Sequence, residues 1–422
     1  MLKDQPIGGG ITASIGGEIR YRYIDERNRL RPPGGPGRSQ HNQWRFTPYF
    51  SLSAADRLTV FAQGIDASTF GYDAPYSPAG IDVNRSDMLQ AYAELKITDQ
   101  LAYRYGRQFL KYGAQRLLSP LGWGNTYRNF EGHKLSLKAD YWDVDAFAME
   151  SVNAAAGGVF RPTSYDVSNP DRRISGVYST FKGFENNSVD LYWLWFENEN
   201  DDPARQDGDR HTLGLRWAGS QDVGECSQVY GTWKWDIEGA YQFGHDDFGA
   251  GTNLDVNAGF VTSNFGYTAT AATWSPSLTG IFYWGSGDDD PTDGEDNTVY
   301  TLYPLGHAYW GIVDNFSGQN LVDYGVRTAI QPLDNFSLSA TYHWFSRASV
   351  NDAVYNIAGA PLAVGAPGED IGTEIDFIAT LNVSRALQLQ VGYSWFQYGE
   401  AIDNSSPRND AQQFYVMSTL QF

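Results

Sequence analysis

The 422-residue chain contains no run near the roughly 18 apolar residues that a membrane-crossing helix requires. Crossing a bilayer by helices is thereby excluded. A single cysteine, Cys226, allows no internal disulfide and leaves the redox compartment unread, and we expect it to be a plain strand-end residue. The opening MLKDQPIGGG lacks the basic start, apolar stretch and small-residue cleavage site of an export signal, so either a signal has been removed or the protein stays inside the cell. Cations are scarce: 30 Lys and Arg against 50 Asp and Glu give a formal charge of −20. There is no basic patch with interleaved aromatics, so nucleic acid is not an expected partner. Apolar residues at helical spacing are almost absent.

What the chain has in quantity is aromatic side chains, 13 Trp, 27 Tyr and 23 Phe, together with 45 Gly. The mean hydropathy is nonetheless polar, −0.44. A wall with lipid on one side and water on the other reconciles the two. From Ile11 to Tyr23 every odd position is apolar, small or aromatic, while Thr12, Ser14, Glu18, Arg20 and Arg22 take the even ones. That period of two is a strand with one apolar and one polar face. It returns at Trp233, Trp235, Ile237, Gly239, Tyr241 and Phe243, at Val189 to Trp195, at Phe336 to Trp344, at Ile371 to Leu381 and at Leu387 to Trp395. Such segments number about 18, centred near residues 17, 47, 62, 92, 105, 135, 146, 177, 193, 215, 237, 258, 275, 324, 342, 376, 392 and 417.

The connections between these segments alternate between long and short, as in outer-membrane barrels with long external loops and short periplasmic turns. NRLRPPGGPGRSQH is followed by SAADR, and KYGAQRLLSPLGWGNTYRN by KAD. AGSQDVGECSQVYG, a longish inner turn, and GHDDFGAG, a shortish outer loop, blur the rhythm. The last strand ends with Leu420 and Phe422, resembling the C-terminal assembly signal of such proteins. With no compositional break, residues 1–422 read as one domain, an all-β transmembrane antiparallel barrel in contact with outer-membrane lipid.

At about this strand number side chains cannot fill the interior, so a water-filled lumen is expected. Alternation turns Glu18, Arg20, Arg22, Arg45, Glu94, Lys96, Arg104, Gln108, Lys134, Lys138, Arg216, Lys234, Asp236, Glu238, Arg327, Arg347, Glu374 and Asp376 toward it. Arg116 and Arg128, in the third long loop, are expected to fold into the lumen. Arg107 is the exception. Strict alternation sends it into lipid, where a midplane charge costs about 2–4 kcal/mol, so we expect a bulge at Gly106 that switches its face, the alternative being a place near the rim.

Two stretches, YGRQFLKYGAQRLLSPLGWGNTYRNFEGHKL and DIGTEIDFIATLNVSRALQLQVGYSWFQYG, resemble the alginate-export family of bacterial outer-membrane barrels. The matching residues are Gly106, Arg107 and Gln108; Arg116 and Leu117; Trp123 and Asn125; Arg128; Phe130, Glu131 and Gly132, with Glu in place of the family's Asp; then Gly372, Glu374, Asp376, Gly392, Tyr393 and Ser394. The resemblance implies an 18-stranded monomeric barrel, a passive conduit, and in the exporter an arginine-rich constriction that selects an anionic uronic-acid polymer. The exporter's periplasmic plug loop is replaced here by the short VSRAL.

The expected function is therefore an outer-membrane channel for passive diffusion of hydrophilic solutes, without cofactor, metal or catalysis, filtered by width and by rings of charge. Export of an anionic polysaccharide such as alginate is the alternative. The acid-rich loops ENENDDPARQDGD, GHDD and GDDDPTDGED read as solvated rather than calcium-binding, since the EF-hand ligand order is absent. A barrel lipid hydrolase is a third reading, but of His41, His133, His211, His245, His307 and His343 only His343 lies firmly in a strand, and alternation turns it inward.

Overall fold

The computed structural model describes residues 2–30, 37–71, 80–153, 165–199, 207–225, 228–247, 253–363, 366–403 and 409–422. Eighteen antiparallel strands close into a barrel: Ile11–Arg27, Arg38–Ala54, Leu58–Phe70, Asn84–Lys96, Leu101–Gln108, Phe130–Lys138, Trp142–Asn153, Val167–Phe181, Asn187–Asn198, Asp207–Glu225, Gln228–Asp247, Asn253–Thr268, Ser277–Gly285, Leu321–Leu333, Phe336–Ser346, Asp370–Asn382, Leu387–Tyr398 and Ala411–Gln421. The last pairs with the first, Gln421 opposite Glu18 through Gln412 opposite Arg27. Closure leaves no unpaired edge for lipid, which cannot hydrogen bond to a bare amide.

Every expected strand exists, and all but one expected centre falls inside its strand. Residue 275 falls in the turn before Ser277–Gly285, where Trp274 and Ser275 hold positive φ and Pro276 cannot donate to a ladder. The longish inner turn resolves into strand: Asp207–Glu225 and Gln228–Asp247 pair from Asp247 down to Gln228, leaving only residues 226–227 between them. Cys226 lies outside the described residues.

Exposed aromatics and aliphatics ring the outside, among them Trp193, Leu215, Trp217, Trp233, Tyr241, Trp344 and Trp395. The stripe breaks at Ile371, which is buried among Phe345 and Phe396 rather than facing outward. The cause is a register slip between Phe345 and Ser346 opposite Gly372, whose φ of +137° only glycine adopts freely.

The seam carries a feature the alternation did not reveal. Leu2–Gly8 forms an extra strand antiparallel to Ile11–Ile15, occupying the edge beyond the end of Ala411–Gln421. Its signal in the sequence is the Gly8-Gly9-Gly10 hairpin turn, three glycines at positive φ. Next to it Phe422 pairs with Gly17, N–H to carbonyl in both directions at 2.9 and 3.1 Å. A side chain at Gly17 would lie 2.8 Å from the Phe422 ring, so the glycine makes room for the terminal aromatic. Leu420 stands opposite Ile19 and is exposed on the outer wall.

Candidate channel and its constriction

Two long outer connections, residues 109–129 and 286–320, do not stay outside. They fold into the barrel because they are apolar enough to build a core there. Leu110, Leu117 and Leu118 of the first join Val299, Leu302, Trp310, Val313 and Phe316 of the second. Both cover inward-facing Phe147, Met149, Ile174, Leu194, Phe196 and Phe260. The loops are also bonded to each other, Ser119 N–H to the Tyr303 carbonyl and Tyr303 N–H to the Leu117 carbonyl, each 2.9 Å. The lumen expected at this strand number is narrowed from within, because these loops carry enough contiguous apolar surface to occupy part of it.

The wall arginines explain how the first loop is held. Arg20 Nη1 donates to the Gly122 carbonyl (2.9 Å) and Nη2 to that of Gly124 (2.5 Å). Arg22 donates to the Trp123 carbonyl at 2.9 Å, to Gln43 Oε1 at 3.0 Å through Nε, and stacks over the Trp123 ring. Arg45 joins Gly122 and Gly124 carbonyls (3.1 and 2.7 Å) to Glu18 (2.6 Å) and lies over the Tyr127 ring. Three buried guanidiniums thereby grip three consecutive carbonyls, which supply the acceptors that buried cations need. Trp123 in turn stacks on His307 (3.6 Å between centroids), whose Nδ1 is 2.9 Å from Asp314.

Arg116 and Arg128 are buried on the first folded loop, inside the barrel wall. Arg116 Nη1 bridges Asp236 (2.9 Å) and Glu238 (2.6 Å). Burial alone would depress its pKa, but the two carboxylates overcome that and raise it. Arg128 has only carbonyl acceptors, Ser119 and Pro304 at 3.5 and 3.2 Å, and the Tyr303 ring. Burial pulls it down to about 10, which still leaves it charged at neutral pH.

Toward the periplasmic end the inner face is a ladder of matched charges. Arg104 pairs with Glu94 (2.5 Å), Lys134 with Asp145 (3.6 Å), and Lys138 with Asp143 (3.4 Å). Arg216 joins Asp190 (2.9 Å) to Asp236 (2.7 Å). Lys96, near the rim, reaches Asp99 at 3.8 Å, and Lys234 is exposed on the same face as Asp236. Sequence reasoning missed Asp145, Asp190 and Gln43, although the same parity rule points each of them inward.

Three residues expected along the lumen stand elsewhere. The ladder runs through Gly106 without a register slip on either side, so the bulge does not exist. Arg107 instead keeps the outward parity of exposed Tyr105, at the outer end of its strand, paired with Glu131 (3.1 Å) and donating to the Met88 and Asp166 carbonyls. Rim depth, where a charge costs about 0–1 kcal/mol, makes this tolerable. Gln108 is fully buried, donating to Gly106 and Gly132 carbonyls. Arg347 ties the outer segment after its strand, donating to the Val350, Asp352 and Ala366 carbonyls at 3.1, 3.1 and 2.6 Å.

A cavity of about 340 Å³ lies between the two folded loops and the wall from Leu321 to Gln421. Trp123, His307, Arg327, Thr341, His343 and Asp376 are among its lining residues. His343 is buried and holds Asp323 at 2.8 Å. Glu374 accepts from the Val313 N–H at 2.9 Å. Among the described residues there is no group of three metal-ligating side chains. The Asp of the acidic outer loop bond their own turns, as Asp288 and Asp290 do with the N–H groups two residues on.

A family model for alginate export matches residues 11–416. The chain belongs to the alginate-export family. No curated protein matches it. Among solved structures it is similar to OprD of Pseudomonas aeruginosa, at 12% identity and a TM-score of 0.63, covering 100% of this chain and 97% of that one. OccK8 (OprE) of Pseudomonas aeruginosa is 14% identical with a TM-score of 0.61, covering 97% and 98%. OccAB1 of Acinetobacter baumannii is 12% identical with a TM-score of 0.63, covering 100% and 99%. At these identities the likeness establishes the fold, that of outer-membrane porin barrels. Family and fold are those of bacterial outer-membrane channels rather than enzymes.

Proposed function

We propose that this barrel is a passive channel for small hydrophilic solutes rather than a conduit for an anionic polymer. One observation carries the choice: of the inward arginines that an anion-selective constriction needs, most have their donors engaged by other groups of the protein. Arg20, Arg22 and Arg45 hold loop carbonyls, Arg116 and Arg216 hold carboxylates, and Arg104 holds Glu94. A polyuronate passing this wall meets arginines whose donors are mostly taken by carbonyls and carboxylates, Arg327 apart, and beside Arg327 the carboxylate of Asp376. A cavity of about 340 Å³ beside the path suits small molecules.

Solutes cross down their gradient, and the fixed charges sort them by sign. The hydrolase reading finds little support: His343 pairs with Asp323, but among the described residues no hydroxyl bonds its other ring nitrogen, and it faces away from lipid. Planar-bilayer recordings of the purified protein test the proposal. We expect steady conductance, no block by millimolar polyuronate, and no reversal potential favouring anions in a salt gradient. Strong anion selectivity with polyuronate block would return the exporter reading.

A further inference from the structure

Among the described residues, the charged groups bordering the lumen cavity form ion pairs with two exceptions, Arg327 and Asp376, which attract each other at longer range across Thr341. His307 holds Asp314 and His343 holds Asp323. Arg327 donates through Nε to Thr341 Oγ1 at 3.1 Å and makes no ion pair among the described residues. Asp376 is 2% exposed, and its side chain meets that of another acid, Glu374, while no cation forms an ion pair with either among the described residues. The register places Arg327 opposite Thr341 and Thr341 opposite Asp376, so the cation and the carboxylate flank one residue across three adjacent strands. Their backbones are then about 9.6 Å apart, two strand spacings. Both side chains line the same cavity.

Two carboxyls held together resist ionising both at once, and an incoming cation relieves that repulsion. A ligand of one sign cannot relieve both ends. An anion drawn to Arg327 meets Asp376 and Glu374, and a cation drawn to those acids meets Arg327. We propose that this cavity is a binding subsite for a small zwitterion, a molecule bearing a carboxylate and an ammonium a few bonds apart, with the carboxylate on Arg327 and the ammonium on Asp376 beside Glu374. Rejection of singly charged analogues follows from the end each leaves facing its like charge. The inference rests on the channel reading and adds the class of solute that lingers in the path.

The test is reversible block of single-channel current by three probes of one shape: phenylalanine, N-acetylphenylalanine, which has only the carboxylate, and phenylalaninamide, which has only the ammonium. Phenylalanine is expected to block saturably at a concentration at least ten-fold below either analogue. In R327Q, phenylalaninamide should block as well as phenylalanine; in D376N, N-acetylphenylalanine should do so. Each variant is first confirmed as a folded barrel by heat-modifiable gel migration. Equal block by phenylalanine and N-acetylphenylalanine in the unaltered protein, or a conducting barrel that none of the three blocks, overturns this inference and leaves the channel intact. A folded barrel that conducts no ions overturns both.

Discussion

The inner face of this barrel is two different surfaces. On the strand Asn187–Asn198, Asp190 and Tyr192 lie toward the periplasmic end, and Leu194 and Phe196 toward the outer end. Trp142–Asn153 repeats the change, from Asp143 and Asp145 to Phe147 and Met149. The polar half pairs its own charges, and some of those pairs, such as Arg104 with Glu94, stay in reach of water. The apolar half faces loops, and there the barrel interior behaves like the core of a soluble protein. The same wall therefore sustains two kinds of stability, one from burial and one from ion pairs in reach of water.

Breaking the apolar half is expected to have the largest effect. Trp310 is 1% exposed and meets Tyr283 edge-on at 5.6 Å in the centre of the loop core. Trp310→Ala removes a buried aromatic, a loss of about 3–5 kcal/mol at such positions. The barrel's amide ladder does not depend on that ring, so the loss should fall on residues 286–320 rather than on closure. Single-channel conductance is expected to rise several-fold, with limited proteolysis cutting within that segment while heat-modifiable migration persists. Unchanged conductance would mean that the loop core does not narrow the path.

The polar half should respond in the opposite sense. Arg104 and Glu94 pair at 2.5 Å, but their side chains keep 23% and 30% of their exposure. A pair so wetted contributes less than about 1 kcal/mol. Glu94→Gln should therefore leave the unfolding midpoint in urea almost unmoved while shifting the reversal potential toward anions, because it frees Arg104 beside the path. A large loss of stability here would erase the contrast between the two halves.

This contrast also decides how much could be read from the chain. The lipid face sets one half of the alternation, and it is legible wherever the other face is wet, as in Trp233 to Phe243. Where loops cover the inner face, both sides turn apolar and alternation fades, as in Leu191-Tyr192-Trp193-Leu194-Trp195-Phe196. That run already signals a second buried surface, though not what buries it. The inward turn of residues 286–320 was illegible because its apolar residues, Val299 to Phe316, have no period; only contacts across the chain determine where they go. The three arginines on the first two strands were legible as inward-facing but not as engaged, since their acceptors are backbone carbonyls 77 to 104 residues away. Gly106 misled because a glycine within a strand suits a bulge and equally suits close strand approach. Here a side chain would strike the Ala91 carbonyl across the ladder.

The smallest expected effect lies where the loop core meets water. Asp288 opens the acidic stretch at the mouth, and its carboxyl is pushed up to about 6, by burial first and then by Asp296, Asp352 and Asp293, against the opposing hydrogen bond from the Asp290 N–H. An acid whose pKa is raised in the folded state binds its proton more tightly there than in the unlinked loop. Its contribution is therefore most favourable below about pH 4, declines as pH rises, and is lost once pH passes about 6. The group is partly solvated and the loop end is short, so the change should be confined to local opening. Amide hydrogen exchange around residues 288–298, corrected for the intrinsic pH dependence of exchange, should show greater protection at pH 5 than at pH 7.5. Asp288→Asn should flatten that difference without altering exchange at the Trp310 core. A difference that survives the substitution would assign the pH response to another carboxylate of the mouth, and one that spreads to the Trp310 core would show that the wet rim and the dry interior open as a single unit.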